Sequence, residues 1–100
     1  MSKDYKYFLD LQRKVATIAA SVDHSCNITM SAYSSSNNGN PFLVVSALEY
    51  DGAPYVHFNF YDFNTKKHHK EVLAAFKTYL QSGQIVRPAR VYGSDKTLIQ

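Results

Sequence analysis

Five consecutive basic residues, Lys66, Lys67, His68, His69 and Lys70, form the densest concentration of cationic side chains in the chain. They precede an apolar pattern of helical period, so they fall on the first turns of a helix. Cations there oppose the helix macrodipole, each costing a few tenths of a kcal/mol to about 1 kcal/mol. An anion resolves the conflict, because exposed N–H groups and the dipole attract phosphate while lysines add point charge. A solvated cluster with no ligand is the plainer reading. His24 and Cys26 form a second pair, two residues apart and able to point the same way on extended backbone. Neither they nor His68-His69 have the multi-ligand spacing of a zinc site, so no metal site is expected. His24 reads instead as a helix-end residue facing the last carbonyls, and Cys26 as a small buried hydrophobe. Ser46 opposite His57 is the one acid–base pair with expected proximity, and a structural hydrogen bond accounts for it equally well. No glycine motif follows a strand and nothing suggests a base paired with the serines of the 34–41 loop, so a non-enzyme without cofactor is expected.

Elements follow from periodicity. Phe8, Leu11, Val15, Ile18 and Val22 recur at steps of three and four, which predicts a helix over residues 4–22 with Ser2 as N-cap. Residues 27–34 alternate Ile28, Met30 and Ala32 against polar neighbours, the period of a half-buried strand. A polar loop, residues 34–41, leads to strands at 42–50 and 53–61 around Asp51-Gly52, a strong two-residue hairpin signal. That turn sets Ala47 opposite Val56, Val45 opposite Phe58 and Leu43 opposite Phe60, all apolar. A slip of one residue would mix the two faces. Val72, Leu73, Phe76, Tyr79 and Leu80 then mark a helix over 65–82, capped by Asn64 or Thr65 and ended by Gly83.

The expected fold is an α+β two-layer sandwich in the order α-β-β-β-α, with a three-stranded antiparallel sheet and both helices on one face. Residues 1–83 form that single domain. Residues 84–100 are an edge strand, a segment packed on a neighbouring subunit, or a loose tail.

Charge is segregated along the chain. Residues 15–65 contain no lysine or arginine and sum to −4, residues 1–14 sum to +2 and residues 66–100 to +5, within a net charge of +3. One hundred residues suffice for a single core without metal or disulfide staples, and a lone cysteine excludes an internal disulfide. The opening residues form no signal peptide, and no apolar run approaches the ~20 residues of a membrane span, so a soluble cytoplasmic protein is expected.

Thr65-Lys66-Lys67 followed by Lys70 and Ala74-Ala75 is similar to the signature opening the second helix of the double-stranded-RNA-binding domain. Pro41-Phe42 and Asp51-Gly52 are similar to that family's second strand and following turn. The resemblance implies that Lys66, Lys67 and Lys70 straddle a groove through its phosphates. Helix 1 and the loop at 34–40 would meet the adjoining minor grooves, largely by shape. The family's Gly-Pro-x-His element and its glycine-rich approach to the second helix have no counterpart here.

The outward sheet face is expected to carry Tyr33, Phe42, Val44, Leu48, Tyr55, His57, Asn59 and Tyr61, a set too aromatic for a merely solvated surface. Base stacking on it calls for cations beside the aromatics, and the three expected strands supply none. A sheet-to-sheet homodimer is therefore expected on this face, the alternative being that the C-terminal segment folds back across it. The functional expectation is a non-catalytic binding module. Nucleic-acid phosphates would meet Lys66, Lys67 and Lys70, assisted by Arg13 and Lys14 or by Arg87 and Arg90. A protein-interaction subunit with no nucleic-acid role is the alternative.

Overall fold

Alternation and amphipathicity decide the architecture. The computed structural model describes residues 3–34, 41–50 and 52–92, without the side chains of residues 3, 4 and 32–34. Helix α1 spans Lys3–Ser21, strands β1, β2 and β3 span Asn27–Ser34, Pro41–Leu48 and Tyr55–Tyr61, helix α2 spans Lys66–Ser82, and strand β4 spans Arg90–Tyr92. The protein is α+β, with an antiparallel sheet in the order β1-β2-β3-β4.

The hairpin register is the one the apolar pairs require: Leu43 faces Phe60, Val45 faces Phe58 and Ala47 faces Val56. All six are buried. The Ala53 N–H donates to the Tyr50 carbonyl at 2.9 Å, and Gly52 supplies the positive φ of 94° that the turn needs. Asp51, Ser2 and residues 35–40, on which parts of the turn, cap and loop readings rest, lie outside the described residues.

Both helices cover the inner face. Phe8, Leu11 and Val15 of α1 and Val72, Phe76 and Tyr79 of α2 join the strand residues in one core. Phe58 meets Phe76 edge to face at 5.1 Å. Burying side chains of this size contributes about 1.5–3 kcal/mol each, so this layer dominates the stability. Tyr7 meets α2 at Lys66 and His69, while Ile18 lines a groove with Leu73 farther along. The two helices therefore start at the same end of the molecule.

The expected three-stranded sheet is corrected to four strands. After α2, Ile85 and Val86 pack on the core, Ala89 is buried, and Arg90–Tyr92 pairs antiparallel with β3. A strand of three residues is too short to display a period of two, and its sequence offers no hairpin turn back to β3. Through Tyr92 the chain extends the sheet edge, and its Pro88 and Arg90 line a cleft with Asn59 and Tyr61. Among the described residues, no helix is long and apolar enough to cross a membrane.

Candidate nucleic-acid interface

Helix α2 opens with an ordinary cap and an extraordinary charge. Thr65, in extended backbone, accepts the His68 N–H on its hydroxyl at 3.0 Å. This satisfies one of the four N–H groups that a helix start leaves free. No acid lies in the first turn. Lys66, Lys67 and Lys70 are exposed, and the one ion pair among the described residues joins Arg13 to Asp10 at 3.3 Å.

A buried histidine fixes this helix start to the rest of the fold. His69 is only 2% exposed. Its Nε2–H donates to the Tyr61 carbonyl at 2.8 Å, which leaves Nδ1 to accept the Tyr7 hydroxyl at 2.9 Å. A carbonyl can only accept, so the tautomer is determined. The ring sits among Tyr7, Phe8 and Phe60 at centroid distances of 5.6–5.7 Å. Burial pushes the imidazole below its ordinary pKa, the Tyr61 carbonyl opposes that shift, and neighbouring His68 adds to it. His69 thus joins α1, β3 and α2 as a neutral bridge. Lys66 Nζ lies over the Tyr7 ring, 5.2 Å from its centroid, held by cation–π attraction. The sequence groups His69 with the lysines, but its apolar surroundings come from elements far apart in the chain.

Beside the lysines lies a cleft of about 220 Å³, lined by Asn59, Tyr61, Phe63, Asn64, His68, Pro88 and Arg90. Phe63 is 77% exposed and stacks on Tyr61, with centroids 5.1 Å apart and planes 7° from parallel. Asn59 keeps its side-chain oxygen buried with no donor. Periodicity passes over Phe63, which belongs to no regular element, and no sequence signal brings Arg90 to it.

The absence of cations from the sheet face needs correction. β4 aligns Arg90 with His57 and Tyr92 with Tyr55, and directly opposed residues point to the same side. The outer face therefore gains an arginine, and Tyr92 packs on His57 at 4.5 Å. Burial lowers the His57 pKa. Phe42, Val44, Leu48, Asn59 and Tyr61 lie half-buried on this face and Tyr55 is exposed. Tyr33 pairs with Phe42 in the ladder. Arg13 and Lys14 stand apart from the lysine cluster, beside Leu73 and about two turns beyond Tyr7 along α1. Lys6, next to Tyr7 and exposed, is closer in sequence to that end.

The opposite end of the molecule holds a cavity of about 440 Å³ whose lining includes His24, Cys26, Glu49 and Tyr79. Cys26 Sγ is 3.6 Å from His24 Nδ1. Burial raises the thiol pKa, a backbone hydrogen bond opposes this, and the Glu49 charge raises it further. A thiol held protonated is a poor nucleophile. Among the described residues, no group of three or more His, Cys, Asp or Glu side chains stands at metal-binding distance.

The family models, the curated proteins and the solved structures contain no match to this chain.

Proposed function

We propose that the protein is a non-catalytic module that binds nucleic acid at the end where both helices start. Lys66, Lys67 and Lys70 take the phosphate backbone, Arg90 adds charge from the sheet edge, and the Tyr61–Phe63 stack receives a base. The observation that carries this reading is the nearly parallel stack of the exposed Phe63 on the half-buried Tyr61, in a cleft shared with Arg90 and His68. An exposed aromatic ring beside cations matches a single strand, whose bases are free to stack, at about 1–3 kcal/mol per base. Lysines meet phosphates and not base edges, so sequence preference is weak.

Fluorescence anisotropy with a single-stranded oligonucleotide, duplex RNA and duplex DNA, each titrated across salt, tests the reading. Affinity for the single strand should fall log-linearly with salt. Reversing Lys66, Lys67 and Lys70 to Glu should shallow the slope by about 2, from ~0.7 per lost contact. Preference for duplex RNA would favour the groove-straddling arrangement implied by the double-stranded-RNA-binding resemblance. No binding of any of the three at low salt would remove the nucleic-acid role.

A second reading, homodimerisation through the sheet, rests on the apolar side of the same face, where Phe42, Val44 and Leu48 lie half-buried on β2. Val44→Glu with Leu48→Glu spares the cleft and should turn a dimer into a monomer in light scattering. A wild type that is already monomeric at high concentration would discard it.

A further inference from the structure

Strand β1 is one edge of the sheet. All eight of its residues pair with β2 in unbroken register, and among the described residues no strand pairs with its other side. An antiparallel strand turns the N–H and C=O groups of alternate residues away from its partner, so half of the β1 residues present theirs along a free edge. Proteins blunt such edges with lysine, proline or a bulge, because a bare row of donors and acceptors is a template for another strand. Asn27–Ser34 contains no charged residue and no proline, and no bulge interrupts its pairing. The opposite edge differs, since β4 is three residues long and begins with Arg90.

The helix above this edge is uncharged in the same direction. Tyr7 and Ile18 mark the flank of α1 that faces α2. At about 100° of rotation per residue, Leu9, Gln12, Ala16 and Ala19 fall on the opposite flank. Helix α1 packs on β1 and β2 while α2 packs on β3, so that flank looks out past the β1 edge. Leu9 is 47% exposed there and Ala16 is exposed beside it. Ile28 and Met30, on the core side of β1, are only partly buried.

We propose that a second copy of this chain pairs its β1 antiparallel to this one, about a two-fold axis normal to the sheet. The product is one eight-stranded sheet with four helices on a single face. Each copy lays two helices over four strands, one helix for every two strands. Two strand spacings are about 9.6 Å, within the 8–10 Å at which helices pack. Continuing the sheet through β1 therefore brings the two α1 helices into contact along Leu9, Gln12, Ala16 and Ala19. Strands and flanks are both uncharged, so the self-pair sets no like charges against each other. An unrelated extended peptide would cover the strand edge and leave Leu9 exposed, whereas an identical copy covers both. Strand β4 and the cleft beside it lie at the outer ends of the combined sheet, clear of this interface.

The test is sedimentation equilibrium of the full-length protein across concentration, with hydrogen exchange of the β1 amides. The wild type should reach about twice the 11.3 kDa of one chain, and alternate β1 amides should exchange more slowly as it does. Ala16→Glu and Thr29→Lys change exposed positions on separate elements. Each should weaken the dimer at least tenfold while circular dichroism stays that of the wild type. Val44→Glu with Leu48→Glu, on the outer face, should leave this dimer intact. A wild type that stays monomeric at high concentration would overturn the proposal. So would a dimer that folded Ala16→Glu and Thr29→Lys leave as tight as wild type, or one lost only with the Val44 and Leu48 changes.

Discussion

His69 shows how one side chain can serve structure inside a segment that looks functional. Its sequence neighbours are exposed lysines, yet its ring is buried and both nitrogens are hydrogen-bonded. Tyr7→Phe removes the donor and leaves a buried acceptor unmatched, so it should cost about 1–3 kcal/mol in urea denaturation. The histidine also gives stability a pH dependence of definite sign. Its folded pKa is below the ordinary value of 6.5, so the unfolded chain binds more protons over the interval between them. The contribution is intact above the unfolded value and is lost as pH falls through the folded one. His57, likewise lowered by burial, acts in the same direction. His69→Leu should therefore flatten, without abolishing, the loss of stability below about pH 6.5; an unchanged slope would contradict a buried neutral His69. None of this was legible in the sequence, where a histidine beside lysines is indistinguishable from another surface cation.

Elements were legible in proportion to their length. Helices of nineteen and seventeen residues declare themselves through several turns of apolar spacing, and Asp51-Gly52 fixes a hairpin whose apolar pairs admit one register. β4 offers three residues and no tight turn, so only tertiary packing of Ile85, Val86 and Ala89 brings it to β3. That missing strand is also why the sheet face looked devoid of cations. The cap of α2 has its own consequence. Thr65 holds the helix start that displays the lysines, and Thr65→Ala should destabilise the protein by about 1 kcal/mol, measured by thermal melting. Circular dichroism should show helix content retained, because the buried face of α2 anchors it independently of the cap.

At the scale of the whole molecule, parallel helices convert a charge pattern along the chain into a charge axis through the fold. The lysine-rich start of α2 lies at one end and the lysine-free helix exits at the other, with Asp23 and Glu49 between them. The sequence showed the segregation, but only the topology shows which charges converge. Arg13 and Lys14, partners of Lys66 by sign, stand about two turns farther along α1 than Tyr7, which Lys66 overlies. Arg90, distant in sequence, shares a cleft with His68. The most direct measurement is amide chemical-shift perturbation by a short single-stranded RNA at low salt. Shifts should cluster on Tyr61, Phe63, Asn64, the first turn of α2 and Arg90, and should vanish for the Lys66, Lys67 and Lys70 reversal. Perturbations confined to other surfaces, or none at saturating oligonucleotide, would contradict nucleic-acid binding at this end of the fold.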